Sequence, residues 1–194
     1  MNLSLNEFLG QIISADLTMN EMSVLLELGY KEATREELLS SSAGRSGLSS
    51  GIYNPPVLTR TIQKLTEKNL VALKYKTYCL ADKCNSYGGY EKILLAVARS
   101  KVMTLNTMKI AIQLVIEDNV PSSARYIGNK LDLTADYLVS SPLLRMYVIG
   151  LLKKQLITDC KAKNVLDSEL PLEPKRLAFF LDLKWQGYVD EEWM

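Results

Sequence analysis

The chain has 194 residues, 47% of them hydrophobic, with 23 basic and 22 acidic side chains and a net charge of +1. This composition supports a buried core and excludes a wholly disordered chain, while the near-neutral balance gives no chain-wide signature of a nucleic-acid or membrane protein. Histidine is absent, which removes every histidine-dependent triad, and no phosphate-binding glycine-rich loop is present. We therefore expect no enzymatic activity.

The sequence also gives expectations for the protein's location and cofactors. No run approaches the roughly 20 apolar residues of a membrane-spanning helix, and residues 1–10 lack the pattern of a signal peptide, so we expect a cytoplasmic, nucleoid-associated protein without a membrane partner. The odd count of cysteines (Cys79, Cys84 and Cys160) favours reduced thiols. Three thiols fall short of the four ligands of a structural zinc site, so no metal or other cofactor is expected.

Apolar side chains at helical spacing predict two helices at the start of the chain. The first covers residues 5–15. The second begins after Thr18, where Glu21 completes a capping-box pattern, and we expect Gly29 to end it.

Two more helices and a hairpin are predicted next. Thr34 caps a third helix, and a Ser- and Gly-rich loop that contains Arg45 follows it. Pro55 and Pro56 open a fourth helix, which ends near Asn69 and has Leu58, Ile62 and Leu65 as its core face. The segment LVALKYKTYCL then predicts two short strands joined by a tight turn near Tyr75 and Lys76.

The order of elements over residues 17–80 resembles that of the MarR-like winged-helix regulators. The matching segments are LTMNEMSVLLEL, TREELL and PPVLTRTIQKLTEKNLVAL. The resemblance implies a winged helix-turn-helix module whose third helix enters the major groove of DNA.

An internal repeat extends this prediction to the rest of the chain. Setting Pro56 against Pro142 aligns the next sixteen positions without a gap, which places Leu144, Val148 and Leu151 on the core positions of the earlier helix. Helices over residues 108–118 and 122–131 precede the second copy, and ITDCKAK begins a second hairpin.

The predicted fold is therefore mainly α with small β-hairpin wings, built as tandem winged helix-turn-helix modules. Residues 1–88 form a DNA-binding module, 89–101 a linking helix, 102–170 an interaction or dimerisation module, and 171–194 a C-terminal amphipathic helix.

The outward face of the fourth helix is the predicted DNA-binding surface. Arg60 and Lys64 carry the main contacts, because arginine reads base edges and lysine neutralises phosphate. Tyr53 and Asn54 lie where backbone donors at a helix start favour phosphate. The remaining DNA-binding candidates are Thr59, Gln63, Arg45, Lys74 and Lys76.

Charge supports the same surface. Residues 41–90 contain seven basic and two acidic side chains, which gives a net charge of +5. Residues 1–40 contain two basic and seven acidic side chains, which gives a net charge of −5. A module with one basic and one acidic end orients itself on a polyanion.

The second module is predicted to contact protein instead. Met146, Ile149 and Gly150 align with Arg60, Gln63 and Lys64, and an exposed apolar patch usually marks a protein interface. The C-terminal helix, with Phe180 and Trp185 on one face, packs on the core or across a twofold axis. The predicted interaction residues are Met146, Ile149, Phe180 and Trp185.

These features favour a sequence-specific, double-stranded DNA-binding transcriptional regulator that forms a homodimer. A replication initiator-like protein is an alternative, since plasmid initiators also carry two such modules in tandem. A winged-helix adaptor that binds protein and no DNA is the other, and it predicts a partner at the Met146–Ile149 face.

Overall fold

The computed structural model describes residues 2–43, 54–84, 86–100, 102–156 and 177–186. The chain is mainly helical there, with three small sheets. A division between Met103 and Thr104 separates two compact units, and the second unit extends to Trp185. Each unit is described by itself below.

The first unit begins with a short strand and two capped helices. Strand β1 covers Asn2–Leu3, helix α1 Leu5–Ser14 and helix α2 Met19–Tyr30. The predicted capping box of α2 is confirmed, because Glu21 N donates to Thr18 Oγ1 at 3.3 Å and Thr18 N donates to Glu21 Oε2 at 2.7 Å. Every residue from Glu21 to Leu28 is buried, so α2 forms the centre of this unit.

The predicted end of α2 at Gly29 is wrong, since the helix continues to Tyr30. Gly29 is instead a point of close packing. A Cβ at this position would lie 2.7 Å from Cε1 of Phe8 and would also meet the hydroxyl of Tyr87. The tyrosine hydroxyl itself donates to the carbonyl of Leu26.

Two helices and a hairpin follow α2. Helix α3 covers Arg35–Ala43, α4 covers Pro55–Glu67, β2 covers Val71–Lys74 and β3 covers Thr77–Leu80. The strands pair antiparallel across the predicted turn at Tyr75 and Lys76, and Ala33 forms a bridge with Tyr78. The predicted start of α4 at the two prolines is confirmed, and Asn69 adopts a left-handed conformation just beyond its end.

The first unit closes with β4 (Lys83–Cys84), which pairs in parallel with β1, and with α5 (Glu91–Arg99). Helix α5 packs on α2. Arg99 makes a bidentate ion pair with Glu27, with Nη2 at 2.6 Å from Oε2, and the glutamate is almost wholly buried. The predicted linking helix is therefore an integral part of the first unit.

The second unit has four helices and one sheet in its described residues. They are α6 (Leu105–Ile116), β5 (Ser122–Ser123), α7 (Ala124–Leu131), α8 (Ala135–Ser140), α9 (Pro142–Val148), β6 (Leu152–Leu156) and β7 (Leu177–Leu181). The sheet order is β5-β7-β6, with both pairings antiparallel. Ser123 caps α7, since its hydroxyl oxygen accepts from the N–H of Tyr126.

The prediction of a helix over residues 171–194 is wrong where the structure describes it. Residues 177–181 form the central strand β7, and the side chain of Asn119 bonds both backbone groups of Leu181. Ala178, Phe179 and Leu181 are all buried. A strand buried on both faces reads as a continuous apolar run, which also satisfies helical spacing.

The predicted register of the repeat is also wrong. Leu144 and Val148, which that alignment assigns to the core, are 54% and 72% exposed, whereas Leu143 and Met146 are buried. Helix α9 has only seven residues, because it begins at the proline used in the alignment, Pro142, but already ends at Val148.

The two units nevertheless share the way a helix passes into a strand. Asn69 and Gly150 have φ values of 56° and 75°, each two residues before its strand. Val71 and Leu152, the first strand residues, are both 2% exposed. The structural repeat therefore has a separation of 81 residues (150 minus 69) instead of the 86 (142 minus 56) predicted from the prolines.

A pair of glycine substitutions tests the packing at the centre of the first unit. We expect Gly29→Ala to lower the free energy of unfolding by about 1–3 kcal/mol, because the new methyl overlaps Phe8 and Tyr87. Gly10→Ala is the matched control: no atom lies within 4 Å of its Cβ, so helix propensity should raise stability by up to about 1 kcal/mol. Urea denaturation followed by circular dichroism measures both. Equal effects of the two changes would contradict this packing.

Candidate nucleic-acid interface

Helix α4 has one buried and one exposed face. The predicted core face is confirmed, with Leu58 and Leu65 fully buried and Ile62 6% exposed, and the helix packs against α2. The opposite face is exposed and polar, and its members are Thr59, Arg60, Gln63, Lys64 and Glu67. A helix anchored in this way presents a fixed set of side chains to a ligand.

Four cations lie on α4 and the hairpin that follows it. Arg60, Lys64, Lys74 and Lys76 are exposed, and none has a hydrogen-bond or ion-pair partner among the residues that the structure describes. Residues 54–80 contain five basic side chains and one acidic one, a net charge of +4. Tyr75 is fully exposed at the tip of the hairpin, between the two lysines. This part of the unit suits a polyanion.

The fifth of those basic residues, Lys68, makes hydrogen bonds within the first unit. Its Nζ donates to the carbonyl of Asp16 at 2.6 Å and to Glu21 Oε2 at 3.3 Å. Burial of the Glu21 carboxylate would raise its pKa, but the backbone N–H of Thr18 and the ammonium of Lys68 together hold the pKa below its usual value of 4.5. Lys68 therefore fixes the end of α4 to the start of α2.

The start of α4 offers few backbone donors to a ligand. Pro55 and Pro56 have no N–H, Val57 N donates to Asn54 Oδ1 at 2.9 Å, and Leu58 N donates to the carbonyl of Asn54 at 3.0 Å. Of the four N–H positions that a helix start leaves without an intrahelical partner, two are prolines and a third, Val57, is bonded to the asparagine cap, so few backbone donors are left here for a phosphate.

Two other predicted contacts on α4 are already hydrogen-bonded. Gln63 Nε2 donates to Glu67 Oε1 at 3.0 Å, on the exposed face. The Thr59 hydroxyl donates to the carbonyl of Pro55 at 2.8 Å. Arg45 and Tyr53, the remaining candidates, lie outside the described residues.

The structure adds Arg35, which sequence reasoning missed. Its Nη2 donates to Thr59 Oγ1 at 3.0 Å and to the carbonyl of Pro55 at 3.4 Å, so a cation of α3 lies beside the first turn of α4. The available signal was its place directly after the cap residue Thr34, at the start of a helix that the sequence predicts.

The second unit presents a different surface. Met146 is fully buried and Trp185 is 8% exposed, so the prediction that they form an interaction surface is wrong; the Trp185 indole donates to the carbonyl of Ile149 at 2.9 Å. Ile149 and Phe180 are half-buried. Met146 faces inward because the true register places it on the core position of Leu65.

The exposed apolar side chains of α9 are instead Leu144, Tyr147 and Val148. The Lys154 ammonium lies 4.3 Å from the centre of the Tyr147 ring. Arg145 is exposed and has no partner among the described residues. The outward face of α9 is therefore largely apolar, with one cation at its edge.

The two cysteines that the structure describes show no arrangement suited to a metal. Cys79 is buried with its Sγ 3.6 Å from the carbonyl of Ala72, and burial raises the pKa of the half-buried Cys84 thiol. Cys160 lies outside the described residues. Within those residues, no three Cys, Asp or Glu side chains are grouped as metal ligands.

None of the helices in the described part of the chain has both the length and the apolar character needed to cross a membrane. No protein-family model, curated protein or solved structure matches this chain. The function is therefore argued from the geometry of its surfaces.

The anchor at Lys68 gives a pH-dependent prediction. We expect Lys68→Met to lower the free energy of unfolding at neutral pH by about 1–2 kcal/mol, because the buried Glu21 carboxylate loses its cation. This expected loss of unfolding free energy is smaller than that for a fully buried ion pair, because the Lys68 side chain is 39% exposed. The folded pKa of Glu21 is lowered, so its contribution is present above pH 4.5 and is lost as pH falls through the folded value.

The difference between Lys68→Met and the wild type should therefore shrink in acid. Urea denaturation at a series of pH values measures it. Lys64→Met is the matched control, since Lys64 is exposed without a partner among the described residues, and it should stay within about 0.5 kcal/mol of the wild type. A pH-independent loss in Lys68→Met would contradict the assigned pair.

Proposed function

We propose that the chain is a transcriptional regulator of the winged-helix type, which binds double-stranded DNA in a sequence-specific manner through α4 of its first unit. The observation that carries the proposal is the exposed face of α4, where Arg60 and Lys64 have no partner among the described residues while the opposite face is anchored in the core.

The order of elements supports the winged-helix part of the proposal. The first unit has a helix, a bridge at Ala33, two helices and an antiparallel hairpin, with the bridge made to the second hairpin strand. The second unit has one helix more, and its short strand β5 likewise pairs with the last strand, β7. Both orders fit tandem winged helices, with α3 and α4 as the helix-turn-helix of the first.

The size and chemistry of α4 support the DNA part. The major groove is about 12 Å wide and accepts one helix with its side chains. Arg60 can donate two hydrogen bonds to a guanine edge, and Lys64 can neutralise a phosphate. Gln63 can exchange its exposed bond to Glu67 for a base contact. Lys74 and Lys76 at the hairpin fit contacts to the DNA backbone.

The second unit fits a contact with a second copy of this chain. Leu144 and Val148 are exposed on α9, where Gln63 and Glu67 stand in the structurally equivalent positions of α4. Apolar side chains gain nothing from phosphate, whereas a self-complementary apolar patch suits a twofold dimer. A dimer would place two α4 helices on half-sites of one operator, in keeping with a nucleoid-associated, cytoplasmic regulator.

The DNA interface is tested with the double variant Arg60→Ala, Lys64→Ala. Binding to a mixed-sequence duplex, measured by fluorescence anisotropy over a salt series, should weaken, and the slope of log K against log salt should become shallower by about 1, because the lost Lys64 phosphate contact removes about 0.9 while the loss of Arg60 removes a base contact. Selection from a random duplex library then tests sequence specificity.

The matched control is Lys83→Ala, Lys92→Ala, which removes two exposed positive charges of the same unit outside α4 and the hairpin. It should leave the slope within the error of the wild type. An equal reduction of the slope by both double variants would show that net charge, and not this helix, determines binding. Absence of binding by the wild type at moderate salt would favour the adaptor alternative.

The dimer is tested separately by Leu144→Glu, Val148→Glu. We expect a dimeric wild type and a monomeric variant in sedimentation at micromolar concentration, because carboxylates on this face oppose apolar contact. Leu73→Glu, at a leucine 60% exposed in the first unit, is the control that should stay dimeric. A dimer unaffected by the double variant would move the interface elsewhere.

A further inference from the structure

The first turn of α4 lacks most of the backbone donors by which a helix start usually holds a phosphate. Free backbone N–H groups and the helix dipole make such a site in other helices. In α4 two prolines remove two donors and the Asn54 side chain occupies the N–H of Val57. A phosphate that approaches this turn would therefore depend mainly on side chains.

Arg35 is positioned to do this. Among the described residues only its Nη2 is used, in bonds to Thr59 Oγ1 and to the carbonyl of Pro55. Its Nε and Nη1 have no acceptor among the described residues, and the side chain is exposed. A guanidinium has five N–H donors in a rigid fork, so one edge can be held while the other binds a phosphate oxygen.

Thr59 has no proton left for the same purpose. Its hydroxyl has one donor, which is given to the carbonyl of Pro55, while the oxygen accepts from Arg35. Phosphate oxygens only accept hydrogen bonds, so Thr59 would have to break its bond to Pro55 to contact one. The hydroxyl is better placed to orient Arg35 than to touch DNA.

We propose that Arg35 is a DNA phosphate-binding residue, held at the start of α4 by Thr59, which acts as a positioning residue. The inference rests on the proposed DNA-binding function. The DNA contact that the sequence predicted for Thr59 is thereby assigned to Arg35 of α3. Helices α3 and α4 would then both contact the DNA backbone.

The test uses the full chain and the same duplex and salt series, with Arg35→Ala and Arg35→Lys. Arg35→Ala should reduce the slope by about 0.9, which corresponds to about eight-fold weaker binding at 0.1 M salt relative to a common value at 1 M. Arg35→Lys keeps the charge and should keep the slope, with weaker binding because the fork is lost. Circular dichroism of each variant confirms that it folds.

The role of Thr59 is tested in two backgrounds. Thr59→Val should weaken binding about three-fold in the wild type, the effect of one lost hydrogen bond, and should have no further effect in Arg35→Ala. Thr59→Ser keeps the hydroxyl and should therefore bind DNA as tightly as the wild type. An equal loss in both backgrounds would show that Thr59 contacts DNA directly, which overturns its assignment as a positioning residue.

The outcomes separate this inference from the function it rests on. If the wild type binds and Arg60→Ala, Lys64→Ala reduces the slope while Arg35→Ala leaves it unchanged, the assignment of Arg35 is wrong and the DNA-binding helix stands. If the wild type shows no binding to duplex DNA, both are wrong. A slope reduced by Arg35→Ala and retained by Arg35→Lys supports the phosphate contact.

Discussion

The burial of one face of α4 against α2 is the constraint on which the rest of the first unit depends. Leu58, Ile62 and Leu65 recur every three to four residues, and their removal from water fixes the rotation of the helix about its own axis. A turn of one residue, about 100°, would bring Arg60 or Lys64 towards the core, where an unpaired charge is prohibitively unfavourable. The exposed face is thus a consequence of packing, and Lys68 and Asn69 fix the helix end.

The two units use the same helix-to-strand connection with different surface chemistry. In the structural register, Leu144 and Val148 occupy the positions of Gln63 and Glu67, while Arg145 occupies that of Lys64. The core positions are apolar in both, with Met146 in the place of Leu65. A common frame therefore supports a polar, cationic helix in one unit and a largely apolar one in the other, because the exposed positions do not contribute to the core.

Local chemistry accounts for what the sequence predicted well. The caps at Thr18 and Thr34, the prolines before α4 and the turn at Tyr75 each act within four residues, so their effect is readable from the chain alone. The errors involve non-local partners. Residues 177–181 fit a helix and a strand equally well until β5 and β6 are known to flank them. The repeat register failed for a related reason, since proline marks a helix start but not the length of the helix that follows.

By itself, therefore, the sequence determined the starts of α2, α3 and α4, the buried and exposed faces of α4, and the cations that α4 and its hairpin carry, because periodicity, capping and charge are local properties. Only the tertiary structure decided which of those cations lack a hydrogen-bond or ion-pair partner among the described residues. In the folded chain Arg35 donates a hydrogen bond to Thr59, 24 positions away in sequence. The Lys68 ammonium bonds to the carbonyl of Asp16 and to the Glu21 carboxylate, and Met146 is buried. Contacts of this kind depend on how elements pack, and packing is set by the whole core rather than by any one segment.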